Sequence, residues 1–241
     1  MDSILEILNT YGYVTVKFLT DKLHYSTATI NRDLNALESQ KLVHRTYGGV
    51  ELIKSKAVPL PFRYHKMKSV KTKLGEAAAS LINDGDRIFI DGTTTTESIA
   101  KFIVNKKDIT VFTNNVAIVT FLSDQGINVC CLGGKVKEPP YILYSDDTIE
   151  TASRHNVDIA FFSTSYISDE GMISAGYYTH LHMIMRKNSK KMYYLVDHEK
   201  VGFKGIQNLF DLSHVNGIIT DYKFSDEFKE KFNDTEFIEV E

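Results

Sequence analysis

The stretch from Ser26 to Gly49, STATINRDLNALESQKLVHRTYGG, constrains this chain more than any other. Ile30, Leu34 and Leu37 recur at i, i+4 and i+7 and draw a narrow apolar stripe along a short helix. Thr27, Ala28, Asn31, Arg32 and Asn35 fall on the other side. Small and hydrogen-bonding residues with one Arg and no bulky apolar group suit insertion into a DNA major groove. Leu42-Val43 then starts a strand, Arg45 and Tyr47 approach a turn, and Gly48-Gly49 reverses the chain. The pattern predicts a winged helix-turn-helix.

The preceding segment agrees. Ile4, Leu5, Ile7, Leu8 and Tyr11 give a first helix with an apolar face, ended by Gly12. Thr15 is placed to cap a second helix carrying Val16, Leu19 and Leu23. His24-Tyr25 makes the turn, and Ser26 or Thr27 caps the third helix, leaving N–H groups free to face a phosphate. Helix spacing alone also fits a three-helix packing module with a polar surface, so the particular residues have to decide.

They resemble the N-terminal signature of the DeoR family of bacterial repressors, Ser-x-x-Thr-Ile-Arg-Arg-Asp-Leu followed by a Gly-Gly wing. Ser26, Thr29, Ile30, Arg32, Asp33, Leu34, Leu37, Arg45, Gly48 and Gly49 match, while Asn31 replaces the first Arg of the usual pair. The DNA-binding candidates are Ser26, Thr27, Thr29, Asn31, Arg32 and Asn35 on the helix, with Arg45, Tyr47 and Gly48 on the wing. Asn31 is suited to reading adenine where Arg would read guanine or hold a phosphate.

Charge helps to divide the 241 residues. Residues 1–57 carry seven Lys/Arg against six Asp/Glu, and the remainder 21 against 25. Between Lys54 and Lys73 lie seven basic residues, no acidic one, and Pro59 and Pro61, which reads as a stiffened basic linker over 58–72. The expected organisation is a DNA-binding domain over 1–57, that linker, and a larger domain over 73–241. Such modest basicity implies operator affinity shared between subunits, hence a homo-oligomer, dimer or tetramer. No apolar run approaches the roughly 20 residues that span a bilayer, and the N-terminus lacks a signal pattern, so a cytoplasmic protein is expected. Cys130 and Cys131 are adjacent in an apolar run and read as buried, reduced thiols; neither a metal nor a cofactor is expected.

From Lys73 onward, helices alternate with short apolar strands. DRIFID, ITVFT, INVCCLGG, DIAFFST, KMYYLVD and NGIITD are strand candidates, and EAAASLI, TTTTESIAKFIV and NNVAIVTFLSDQ are helical. This predicts an α/β domain with a mostly parallel sheet covered on both faces. In such sheets ligands sit beyond the carboxyl ends of the strands. Those positions here are Asp91-Gly92-Thr93-Thr94-Thr95-Thr96, Thr113-Asn114-Asn115, Gly133-Gly134-Lys135-Val136-Lys137, Asp197 with Lys200, and Thr220-Asp221. Five polar strand ends point to a pocket for an anionic, hydroxyl-rich small molecule.

The same segments resemble the DeoR-family sensor domain, in the series DGDRIFIDGTTTT, FTNN, LGGKVK, VDIAFF, DEGMIS, LVDHEK and ITD. The resemblance implies a fold like that of ribose-phosphate isomerases, used to sense a phosphorylated sugar that weakens operator binding. Carried over, Asp91, Thr94, Thr95, Thr96, Asn114, Gly133, Gly134, Asp197 and Lys200 are effector-site candidates, followed by Lys137 and Asp158. The chain departs from the family at Thr93, where a Gly is usual, at Tyr144-Ser145, at Ser163 and Tyr166, and at His182, which takes the place of a frequent Lys.

Two other functions remain in view. A sugar-phosphate isomerase would use Asp91 as base and Lys200 as electrophile, against the presence of an attached DNA-binding domain. A ligand-independent regulator would explain the departures, with a surface such as Tyr177-Tyr178 serving oligomerisation. His180 and His182, two apart on a helix, cannot chelate one metal ion and read as surface or capping residues, as does His198.

Overall fold

A computed structural model describes residues 2–11, 13–39, 42–46, 49–52, 63, 66–138, 141–175, 179–203 and 208–241. Gly12, Tyr47, Gly48, residues 58–62 and 64–65 of the linker, and Tyr177-Tyr178 lie outside the described residues. The chain forms two compact units, Met1–Lys66 and Met67–Glu241.

The first unit runs α1 (Asp2–Tyr11), β1 (Tyr13–Thr15), α2 (Val16–Leu23), α3 (Thr27–Ser39), β2 (Val43–Thr46) and β3 (Gly49–Leu52). The Thr15 hydroxyl caps α2 by accepting from Phe18 N at 3.1 Å. His24 closes α2 in the left-handed region at φ 56° and so makes the sharp turn into α3. Ser26 Oγ accepts from Thr29 N at 3.2 Å, which fixes the start of α3. Ile30, Leu34 and Leu37 are fully buried against Ile4, Leu8, Leu19, Val43 and Val50. The strands form an antiparallel sheet in the order β1-β3-β2. The hairpin is the expected wing, and β1 is an addition that its three residues were too short to announce.

The second unit begins with α4 (Lys68–Ser80), β4 (Arg87–Ile90), a 3-10 helix (Thr96–Phe102), β5 (Thr110–Thr113), α5 (Val116–Asp124) and β6 (Asn128–Cys131). A hairpin of β7 (Val136–Glu138) and β8 (Ile142–Leu143) leads to α6 (Asp146–Ser153) and β9 (Val157–Ser163). Then come β10 (Tyr166–Ile167), β11 (Met172–Ser174), α7 (Thr179–Asn188), β12 (Ser189–Val196), β13 (Asn208–Asp211), β14 (Gly217–Thr220), α8 (Asp226–Lys231) and β15 (Glu236–Glu239). Seven strands lie in the order β15-β14-β12-β9-β4-β5-β6, and every pairing is parallel. Six of them are the six apolar runs.

Successive strand residues enter opposite layers, as the pleat requires. Ile88, Ile90, Val111, Ile159, Phe161, Tyr193, Leu195 and Ile219 pack beneath α4 and α5. Phe89, Phe112, Ala160, Phe162, Tyr194, Val196 and Ile218 pack on the other face with Leu181 and Met185 of α7. A small antiparallel sheet, β10-β11-β13, stands apart from the main one.

One local expectation is sharpened and another corrected. The helix expected after the Thr run is present and is a 3-10 helix. Ser98 Oγ takes the Thr95 carbonyl at 2.6 Å and Thr96 Oγ1 the Thr93 carbonyl at 3.1 Å, so side chains compete for the acceptors an α-helical ladder would use. Cys130 is only half-buried and Cys131 is exposed, because β6 is an edge strand paired with β5 alone.

Candidate nucleic-acid interface and candidate effector site

On α3 the crest opposite the buried stripe is formed by exposed Thr27, Ala28, Arg32 and Asn35. The Arg32 side chain is 80% exposed, with its Nε 3.8 Å from Asp33 Oδ1. Thr29 and Asn31 are half-buried on its flanks. Arg45 reaches from β2 back to the helix: Nη1 donates to Asn35 Oδ1 at 2.5 Å and Nη2 to Asn31 Oδ1 at 2.6 Å. Its backbone N–H donates to Glu38 Oε1 at 3.2 Å, so one wing residue is tied to three successive turns of α3. Tyr47 and Gly48 lie outside the described residues.

In the second unit the strand order reverses beside β4. The chain steps from β4 to β5 to β6 on one side and then returns to place β9 on the other. A crevice opens beyond the carboxyl ends of the strands at such a point. Asp91, directly after β4, is buried there and is saturated by the protein. Its Oδ1 accepts from Thr93 N at 2.9 Å, from Thr93 Oγ1 at 2.8 Å and, in a short bond, from Thr96 Oγ1. Its Oδ2 accepts from Ser163 N at 3.1 Å, across to β9. Burial pushes its pKa up and these bonds oppose the rise. Asp91 therefore fastens the Thr loop to β9.

The chain of bonds continues sideways. Ser163 Oγ donates to Leu195 O at 2.7 Å and accepts from Lys200 Nζ at 3.0 Å. Lys200 Nζ in turn lies 3.2 Å from Asp197 Oδ2. Asp91, Ser163, Lys200 and Asp197 thus form one network over β4, β9 and β12. Asp91 and Lys200 are held as partners of the scaffold, an arrangement that presents neither as a proton base nor as an electrophile.

On the other flank, Thr94, Thr95 and Thr96 are all buried. Lys71 on α4, itself only 7% exposed, donates from Nζ to Thr94 Oγ1 at 2.9 Å. The sequence pattern had assigned Lys71 to the basic linker. Its signal was its spacing: with Leu74, Gly75 and Ala78 it occupies the buried face of α4 at i, i+3, i+4 and i+7. Gly75 is required there, since a Cβ would overlap the Ser98 backbone of the 3-10 helix.

Asn114, after β5, is 1% exposed and donates from Nδ2 to Leu143 O at 2.9 Å. Its Oδ1 is buried and accepts no hydrogen bond from the described residues. The neighbouring Asn115 caps α5 and donates to Glu97 Oε2 at 2.8 Å. After β6, Gly133 and Gly134 adopt φ 71° and 115°. A Cβ on Gly134 would overlap Thr148 Oγ1, which donates to Gly133 O at 2.7 Å. Ser145 begins α6 with a capping box to Thr148. Lys137 stands exposed on β7.

Asp158 is not part of this gathering. It sits at the opposite, amino end of β9, bonded to Arg87 at 3.1 Å and Lys190 at 2.8 Å, which hold its carboxyl well below the usual range. Asp221 accepts from His198 Nδ1 at 2.6 Å, and this raises the imidazole pKa. His182 is corrected from a surface or capping residue to a buried one. Its ring lies 4.2 Å from Phe162, its Nδ1 lies 2.7 Å from the Tyr194 hydroxyl, and burial lowers its pKa to about 3. It brings no positive charge where the family has a frequent Lys. Thr93 folds its hydroxyl back on Asp91 and Thr96.

A winged helix-turn-helix joined to a parallel α/β unit with a polar crevice at its topological reversal defines a two-part regulator, one part for DNA and one for a signal. The DeoR-like helix-turn-helix domain matches residues 1–56 and the DeoR C terminal sensor domain residues 66–222. The chain belongs to the DeoR family of transcriptional regulators, binds DNA through its helix-turn-helix unit, and is a regulator rather than an enzyme. It is 34% identical over 225 residues to the HTH-type transcriptional repressor GlcR of Bacillus subtilis (strain 168), covering 91% of this chain and 86% of the relative. It is 28% identical to the glycerol-3-phosphate regulon repressor of Escherichia coli (strain K12), covering 91% and 89%. Among solved structures it is similar to ribose 5-phosphate isomerase from Plasmodium falciparum, at TM-score 0.43 and 15% identity over 58% of this chain and 55% of that one. No helix among the described residues is long and apolar enough to cross a membrane.

Proposed function

We propose that this regulator represses a sugar-metabolism operon and that a phosphorylated sugar, held beyond β4, β5, β6, β9 and β12, controls its affinity for the operator. The observation that carries the reading is the pairing of an unfilled acceptor with a buried cation. Asn114 Oδ1 is buried and without a partner among the described residues, suited to a sugar hydroxyl, and Lys71 Nζ stands at the Thr loop, suited to a phosphate. Buried acceptors in folded proteins are nearly always bonded, so one left open at a crevice is a place for a ligand donor. The names of relatives support the chemical class: one represses a glycerol-3-phosphate regulon, and another is the lactose phosphotransferase system repressor of Lactococcus lactis. The site residues are Thr94, Thr95, Asn114, Gly133, Gly134, Lys200 and Lys71, held in place by Asp91, Thr96 and Asp197. A homo-oligomer, dimer or tetramer, would supply two DNA-binding units to one operator, as the near-neutral charge of each demands.

The test is thermal unfolding of the full chain with a panel of hexose, pentose, ketose and amino-sugar phosphates, with inorganic phosphate and the free sugars as controls. A ligand at 100 times its Kd stabilises the folded state by about 2.7 kcal/mol, a shift of several degrees. A hit then goes into an operator-release assay. No shift with any phosphate ester would establish the ligand-independent regulator instead, with Thr93, Ser145 and His182 as its marks.

A further inference from the structure

The α3 crest carries two asparagines, and asparagine in a major groove ordinarily reads adenine, accepting from the N6 amino group through Oδ1 and donating to N7 through Nδ2. In this protein both oxygens are already engaged. Arg45 Nη1 holds Asn35 Oδ1 at 2.5 Å and Nη2 holds Asn31 Oδ1 at 2.6 Å. An amide has one oxygen edge and one amino edge, so a guanidinium on the oxygen turns the amino group the other way. Arg45 itself is well anchored. It lies on β2, paired with Val50 of β3, and its N–H is bonded to Glu38. The planar fork spans residues i and i+4 of one helix, which a point-charge ammonium could not do with the same geometry.

We propose that Arg45 is a positioning residue that sets the base preference of the DNA-reading face. By holding both oxygens of Asn31 and Asn35 it leaves two amino groups pointing outward, so these side chains select guanine over adenine. Guanine offers two acceptors, O6 and N7, to an amide whose outward edge is its amino group. Adenine would bring its N6 amino group against an oxygen already next to a fixed positive charge. The exchange of Arg for Asn at position 31 thus retains a guanine-directed donor, supplied by an amide that Arg45 orients. This replaces the adenine reading that the residue type alone suggests.

The experiment is selection of binding sites from random duplex DNA by the full chain, sequenced for the wild type, Arg45→Ala, Asn31→Ala, Asn35→Ala and the combined variants. The two asparagine variants locate the base pairs that each residue reads. Wild type should prefer guanine to adenine at both, and Arg45→Ala should erode that preference about tenfold at each. In the Asn31→Ala/Asn35→Ala background, adding Arg45→Ala should change the preference no further. A wild-type preference for adenine at these positions would overturn the proposal. So would an Arg45→Ala variant that weakens binding to all sequences alike and lowers the salt slope by about one, the behaviour of a phosphate contact. Should Arg45→Ala fail to fold, Arg45→Met keeps the stem but removes every donor; it must relax both positions, and unchanged preference at both would overturn the proposal.

Discussion

In the DNA-binding unit the candidate contacts on the α3 crest stand in water: Arg32 is 80% exposed, Asn35 is exposed, and one half-buried wing arginine ties the helix to the hairpin. In the sensor unit Asp91, Thr94, Thr96, Ser163 and Asp197 are buried and bonded to one another or to Lys71 and Lys200, and Asn114 Oδ1 is left open. Asp91 alone accepts four hydrogen bonds, and Ser163 joins it to Lys200 and Asp197. The difference fits what each unit is proposed to recognise. DNA is a large polyanion read from outside, so its contacts remain solvated and separately replaceable. The small hydroxylated anion proposed as effector would have to be enclosed, in a pocket built stiff from groups that mostly satisfy each other. Substitutions should therefore act on function alone in the first unit, and on function and stability together in the second.

The sharpest break of that contrast is Asp91→Ala. It strands the buried N–H of Ser163 and the donors of Thr93 and Thr96, so the sensor unit should lose about 3 kcal/mol, seen as a fall of several degrees in its unfolding temperature. Ligand response should vanish with it, while operator binding persists at temperatures below the transition. An unfolding temperature equal to the wild type would mean that the Asp91 network is not structural.

Acid titration probes the same enclosure through His182. Its pKa falls from 6.5 in the unfolded chain to about 3 in the fold. A depressed folded value means that this contribution to stability is complete above pH 6.5 and is lost as pH falls toward 3, at about 1.4 kcal/mol per pH unit. His198 shifts the opposite way through Asp221, and Asp158 enters only at more acid pH, so the signal is the difference from His182→Gln. Between pH 6 and pH 4.5, about one proton's worth of slope should separate the two proteins. Parallel curves would place His182 in water.

How far these features were legible depended on where each residue sits relative to a regular period. The six strands that carry the core announced themselves as apolar runs, and the polar residues just after them were readable because a parallel sheet sends its strand ends to one edge. Two- and three-residue strands such as β1, β8, β10 and β11 have no room for a period. β15 is half-exposed at the sheet edge, so its apolar alternation is weak. Lys71 and His182 were misplaced because their residue types suggest surface, although both lie on the buried stripe of a helix. Cys131 was misplaced for the reverse reason, an apolar run at a strand edge open to solvent. The Arg45 bridge joins positions 10 and 14 residues away, and no local pattern encodes a contact between a wing and a helix face.

In the DNA-binding unit the expected effect is purely functional. Arg32→Ala removes an exposed guanidinium bonded to no core group, so the unfolding temperature should stay within about a degree of the wild type. Operator affinity should fall roughly tenfold to a hundredfold, the value of one good groove or phosphate contact. Salt dependence distinguishes the two: a phosphate contact lowers the slope by about one, whereas a base contact relaxes selection at one position. Unchanged affinity would remove Arg32 from the interface.

Lys137→Ala is the smallest test and the one that separates burial from mere proximity. Lys137 shares its charge with Lys71 but stands exposed on β7, where water and salt screen an ion pair to about 0–1 kcal/mol. Its removal should weaken the response to a phosphorylated ligand by no more than about fivefold at moderate ionic strength, with the loss shrinking as salt is added. Lys71→Met, measured beside it, should abolish the response at any salt, because a buried ammonium on a hydroxyl of the Thr loop is exchanged for an apolar chain of similar length. If the two variants lost the response equally, and with the same salt dependence, the anion would be held at the mouth of the crevice by the β7–β8 hairpin, and the buried network below it would be scaffold alone.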